Sequence, residues 1–267
     1  MATAHVNGID LYYELRGNGP RLLLFNGSGA SIAGSTLLID QLAMHFEVLV
    51  HDQRCLGRTT VTHAVPTMAD YAADGAALLD HVGWDVARVF GISFGGMVAQ
   101  EFAVTHPARV ERLVLACTSP GGDGGSSYPL HTIASLPTDE QERLRLHLAD
   151  ARYTAEYLAG HPFDQLLVDY AAAARSVPKT DDQLRGESLQ LQARSYHDVW
   201  NRLTAIACPT LVAYGEFDAL APPANSAAIA KRVADSTLRG FEGGHAFLAQ
   251  DRKALPCLVE FLLASTR

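Results

Sequence analysis

Residues 87–106 read ARVFGISFGGMVAQEFAVTH, and this stretch decides the fold. Residues 87–91 form a short apolar run of the kind that makes a buried strand, and residues 94–106 carry the apolar spacing of a helix. Between them stands Gly91-Ile92-Ser93-Phe94-Gly95, a G-x-S-x-G string at a strand-to-helix turn. Such a turn strains the backbone of its middle residue, and a Cβ two positions before or after would collide with the crossing chain, so glycines flank it. The turn also sets Ser93 at a helix N-terminus, where N–H groups and the helix dipole favour the negative charge that develops on an acyl oxygen. Taken alone, the string fits a serine that caps a helix equally well. A serine hydroxyl is a weak nucleophile near neutral pH, so chemistry there needs a base, itself oriented by a third group.

Outward from this turn, apolar runs at 9–15, 22–25, 47–50, 110–116, 210–214 and 237–241 alternate with helical spacing at 68–82, 225–234 and 255–264. Strand and helix in alternation imply an α/β fold with a mostly parallel sheet covered on both faces. The interval between Cys117 and Cys208 has no strand pattern. Its residues 139–150, 163–175 and 181–200 read as helices separated by Pro162 and Pro178, so residues 118–207 are expected to form a helical insertion. Residues 1–117 and 208–267 then make the core.

Two later strands supply partners for Ser93. Tyr214-Gly215-Glu216-Phe217-Asp218 ends one and Gly243-Gly244-His245 follows the next, giving the chain order Ser, Asp, His. In an open α/β sheet these positions share the carboxyl edge of the strands, where ligands bind. Ser93, Asp218 and His245 are the catalytic candidates, with Asp123 as the reserve acid. Asn26-Gly27-Ser28-Gly29 follows the strand at 22–25 and precedes a helix-like stretch, so its turn is expected to expose N–H groups. The backbone N–H groups of Ser28 and Phe94 are the expected oxyanion donors. Gly27-Ser28-Gly29, with Asp52 ending the next strand, partly imitates a dinucleotide fingerprint, but Ile32 occupies the third glycine's place, so no nucleotide cofactor is expected.

The remaining composition narrows the class. At 267 residues the chain is large enough for one sizeable α/β unit, and 48% hydrophobic with 19% charged residues is ordinary for a folded domain. A formal charge of −8 without a basic block disfavours nucleic acid as partner. Apolar runs such as 22–25 and 171–174 fall far short of the roughly 20 residues of a membrane helix. Asp10, Glu14, Arg16 and Arg21 stand where a signal peptide needs an apolar centre, so a cytoplasmic location is expected. The four cysteines are widely spaced and no two histidines stand at i, i+4, so neither disulfides nor a bound metal is expected.

The chain resembles the α/β-hydrolase family over nearly all its length. The resemblance is carried by NGSG at 26–29, DQRCLGRT at 52–59, GISFGG at 91–96, YGEFD at 214–218 and GGH at 243–245. It implies an eight-stranded sheet, with the insertion at 118–207 serving as a helical cap after strand six. Within the family the chain is most similar to small capped esterases and 3-oxoadipate enol-lactonase-like hydrolases. The implied activity is hydrolysis of a small-molecule carboxylic ester or lactone through an acyl-enzyme, with no cofactor. Relatives with the same constellation also cleave carbon–carbon bonds, support perhydrolysis, or sense ligands with little turnover. A serine at position 93 disfavours the dehalogenase and epoxide-hydrolase chemistries, which use aspartate there. Two residues depart from the family pattern: Asn26, where histidine is frequent, and Cys55, where glycine is usual and another backbone path is therefore implied. Asp52 and Arg54 are expected to brace that loop by charge pairing. In the cap, Tyr128, His131, Tyr153, Tyr157, Phe163 and Trp200 offer aromatic surface, and Arg143, Arg145 and Arg152 offer charge.

Overall fold

A computed structural model describes residues 2–264. Eight strands form one sheet: β1 Ala2–Val6, β2 Ile9–Arg16, β3 Arg21–Phe25, β4 Glu47–His51, β5 Ala87–Ile92, β6 Val110–Ala116, β7 Thr210–Gly215 and β8 Ser236–Phe241. Their spatial order is β1-β2-β4-β3-β5-β6-β7-β8. β2 runs antiparallel to both of its neighbours, and every pairing from β4 to β8 is parallel. The sheet is therefore the mostly parallel, eight-stranded one that the resemblance implies. The first strand has no counterpart in the sequence reading. It is joined to β2 by Asn7 and Gly8, both at positive φ (50° and 74°), as a two-residue hairpin turn of this twist requires.

The strands are apolar on both faces because both faces are covered. In β3, Leu22 and Leu24 point into one apolar cluster and Leu23 and Phe25 into the other, and all four are fully buried. One cluster is closed by α1 (Thr36–Ala43) and the C-terminal helix, the other by α2 (Met68–His81) and α3 (Phe94–Thr105). Thr67 starts α2 with a reciprocal capping box to Asp70, which is why the helix begins there.

Between β6 and β7 lie α4 (Thr138–Ala149), α5 (Ala155–Gly160), α6 (Pro162–Ser176) and α7 (Asp181–Ser195). After β7 come α8 (Pro223–Arg232), α9 (Phe247–Gln250) and α10 (Ala254–Leu263). Three of the inserted helices match the sequence reading, and α5 is additional. The helix expected over 181–200 stops at Ser195. Beyond it the chain turns to run beside residues 119–121, where Val199 N–H donates to the Pro120 carbonyl (2.9 Å) and Gly121 bridges to Asp198. Among the described residues no helix is long and apolar enough to cross a membrane.

Candidate active site

Ser93 sits between β5 and α3 with φ 55° and ψ −115°, a conformation that side-chain-bearing residues avoid. The flanking glycines make this turn possible. A Cβ on Gly91 would strike the Gly95 carbonyl, and one on Gly95 would overlap the backbone of Phe25. Ser93 N–H donates to the Ala116 carbonyl (2.8 Å), and the Thr118 hydroxyl donates to the Ser93 carbonyl (2.8 Å). The serine is thus pinned from β6 as well as from its own strand.

The loops after β7 and β8 deliver the other two candidates to the same place. His245 Nε2 lies 2.9 Å from Ser93 Oγ, and His245 Nδ1 lies 2.7 Å from Asp218 Oδ2. The Asp218 side chain is fully buried, and its Oδ1 accepts N–H groups from Leu220 (2.9 Å) and Ala221 (2.8 Å). An ionised carboxylate only accepts, so the imidazole donates through Nδ1 and presents the Nε2 lone pair to the serine hydroxyl. Gly243 at φ 121° turns the chain into this loop, and His245 N–H donates to the Ala149 carbonyl at the end of α4 (2.7 Å). Asp123 lies exposed in a one-turn 3-10 helix, whereas the imidazole meets Asp218. Cys117 Sγ, Asp218 and His245 bring possible ligand atoms within 4.8 Å of one another. Burial, reinforced by the Asp218 charge, pushes the Cys117 thiol well above its ordinary range.

The loop after β3 lies against Ser93: a Cβ on Gly27 would stand 3.6 Å from the Ser93 Cβ. Its path is held by neighbours. Gln53 Nε2 donates to the Asn26 carbonyl (2.7 Å), and Asp52 accepts the N–H of Ile32 (2.7 Å) and of Arg58 (2.9 Å) on separate oxygens. Asp52 therefore braces the loop through backbone donors. Arg54 does pair by charge, as a fork on Asp74 (2.7 and 2.6 Å). Cys55 has φ 73°, so it keeps a backbone conformation that glycine favours instead of leaving it. Among the described residues neither the Ser28 N–H nor the Phe94 N–H has an acceptor. Gly29 N–H is taken by Gln190 Oε1 of α7 (2.8 Å), a contact that sequence reading missed.

A family pattern described as alpha/beta hydrolase fold matches residues 20–251. The chain belongs to the α/β-hydrolase fold family. Among its relatives, a proposed carbamate hydrolase RutD of Azorhizobium caulinodans is 29% identical over 255 residues, covering 93% of either chain. A pimeloyl-[acyl-carrier protein] methyl ester esterase of Chromobacterium violaceum is 28% identical over 275 residues, covering 95% of this chain and 98% of the other. The solved enol-lactonase of Burkholderia xenovorans LB400 superposes with a TM-score of 0.77 at 22% identity, over 97% of each chain, and so shares the fold.

In this hydrolase the segment between β6 and β7 touches the loops after β3, β7 and β8. Ala151 N–H donates to the Phe217 carbonyl beside Asp218 (2.9 Å), Ala149 holds His245, and Gln190 holds Gly29. The three arginines singled out from sequence are all engaged. Arg152 forks onto the buried Asp150 (2.9 and 2.8 Å), reaches Glu242 (3.2 Å) and lies over the Phe217 ring. Arg143 pairs with Asp139 on an exposed face, and Arg145 reaches Gln141.

Proposed function

We propose that this α/β-hydrolase is a serine hydrolase cleaving a small-molecule carboxylic ester or lactone through an acyl-enzyme, with residues 118–207 as a cap over the site. The observation that carries this reading is the relay from Asp218 Oδ2 through His245 to Ser93 Oγ, at 2.7 and 2.9 Å, on a strained turn. His245 Nε2 takes the hydroxyl proton as Ser93 Oγ attacks the acyl carbon, and Asp218 fixes the imidazole and stabilises the imidazolium. The oxyanion forms against the N–H groups of Ser28 and Phe94. The imidazolium passes its proton to the leaving alkoxide, which in a lactone stays tethered. Water, deprotonated by His245, then attacks the acyl-enzyme, and the acid departs with Ser93 restored.

The activities these relatives are named for, carbamate hydrolysis and methyl ester hydrolysis, are both acyl transfers to water and support the class. The four cysteines are free, which suits a reducing, cytoplasmic setting.

The test pairs a covalent phosphonate with the Ser93→Ala variant, assayed on a short-chain aryl ester. The expected results are a label on the Ser93 peptide and, in the variant, kcat lower by about 10⁴-fold or more at unchanged melting temperature. Wild-type rates in the variant would falsify the reading. A ligand-induced rise in melting temperature without turnover, across an ester and lactone panel, would instead favour a sensor.

A further inference from the structure

The insertion holds an arginine whose charge no side chain answers. Arg194 on α7 is 6% exposed; its Nη1 donates to the Tyr128 carbonyl (2.8 Å) and its Nη2 to the Ser127 hydroxyl (2.7 Å), both neutral. Its Nε is buried without an acceptor, and among the described residues no carboxylate pairs with it. Arg54, comparably buried, has the Asp74 fork. A buried cation facing only neutral oxygens is unfavourable, and burial accordingly lowers its pKa to about 10, against a smaller opposite pull from Asp218. A missing counter-ion is the simplest account of such a group.

Arg194 lines a cavity of about 220 Å³ together with Met97, Ser119, Ser127, Ser195 and His197. His197 is a second unanswered group there. Its Nε2 must donate to the Ser119 carbonyl (3.1 Å), which leaves the buried Nδ1 as an acceptor without a donor. The cavity thus offers a cation on one side and a neutral acceptor on the other, suited to an anion accompanied by a hydroxyl or a water. Ser93 is not among its lining residues, but two that are stand close to it in the chain or through a neighbour. Met97 lies one turn along α3 from Ser93, about 6 Å, and Ser119 follows the Thr118 that bonds the Ser93 carbonyl.

We propose that this cavity receives a free carboxylate at the end of the substrate remote from the scissile bond, with Arg194 as its counter-ion. The substrate class becomes half-esters of dicarboxylic acids, or lactones bearing a carboxylate. This inference rests on the reading of Ser93 as the nucleophile. The anion enters with Arg194 already pre-positioned by Ser127 and Tyr128, so little side-chain freedom is lost on binding.

The experiment compares wild type with Arg194→Gln and Arg194→Lys on monoethyl esters of short to long dicarboxylic acids and on the corresponding neutral diethyl esters. Wild type should prefer the half-ester of matching length. Arg194→Gln should lower kcat/KM for it by about 10- to 100-fold, mostly through KM, while turnover of the diester is kept. Arg194→Lys should recover part of the loss. Equal losses on both esters would overturn the proposal and leave Arg194 as a brace for residues 127–128. So would a wild type that prefers the diester. Calorimetric titration with glutarate and its longer homologues separates the two readings. Binding by wild type and not by Arg194→Gln, in a protein that hydrolyses neither ester, would refute the nucleophile and uphold the anion site. Absence of binding together with turnover of neutral esters would do the reverse.

Discussion

Asp218 divides its two oxygens between different tasks, and this makes it the sharpest single-residue test of the relay. Oδ1 is held by the N–H groups of Leu220 and Ala221, and Oδ2 faces His245 Nδ1. In Asp218→Asn the backbone donors keep the amide oxygen on their side, so the NH₂ group turns toward Nδ1. The imidazole must then accept at Nδ1 and carry its proton on Nε2, facing Ser93 with the wrong tautomer. We expect kcat to fall about 10⁴-fold with little change in melting temperature, checked by steady-state kinetics beside thermal denaturation. Activity within tenfold of wild type would remove Asp218 from the mechanism. Ser93, Asp218 and His245 were legible in sequence because each sits at a strand end marked by glycines. Gln190 and Arg194 were not, because a polar residue within a helix reads alike whether it faces solvent or a buried loop. Only the successive spacing of four along Gly186, Gln190 and Arg194 hints at a shared face.

That face belongs to α7, where Gly186, Gln190 and Arg194 are all buried. Gly186 lets the helix approach the Cys55 carbonyl so closely that a Cβ there would overlap it. Gly186→Ala therefore pushes α7 away from the loop, although alanine favours the helix itself by roughly 1 kcal/mol. The displaced Gln190 would release Gly29, and the turn that carries Ser28 would loosen. The expected result is a kcat lower by about tenfold or more, with a melting temperature held up by the two core clusters. Unchanged kinetics would show that α7 does not set the loop. Elements differ in how plainly sequence announces them. α2 was readable from its apolar spacing, and α3 from its spacing after a glycine-flanked turn. β1 was missed although Asn7-Gly8 is a strong hairpin signal, because the strand carries only one fully buried residue, Ala4. The end of α7 was misplaced since contacts with residues 119–121, distant in sequence, terminate it.

Across the whole molecule the alternation of strand and helix fixed the layers, since a parallel sheet has to be apolar on both faces and the crossover helices have to cover it. Such a pattern says nothing of which polar groups end up enclosed, and two enclosed histidines give the protein an acid sensitivity of its own. His51 ends β4, 1% exposed, with its ring edge-on to Phe25 and Nδ1 unpartnered; His197 is buried in the insertion. Burial lowers both to about 4, so each is neutral in the folded protein. The unfolded chain protonates them near pH 6.5. Between about pH 6.5 and 4 it therefore binds more protons than the folded state. Stability should be level above that window and fall as pH drops through it, by up to about 1.4 kcal/mol per pH unit for each histidine. In His51→Leu, whatever the offset at neutral pH, the decline between about pH 6.5 and 5 should become shallower, the remainder coming from His197 and from His106, which burial also lowers. Denaturant midpoints measured across that range decide the matter. Parallel curves for variant and wild type would mean that His51 takes its proton without unfolding, and that the acid sensitivity arises elsewhere.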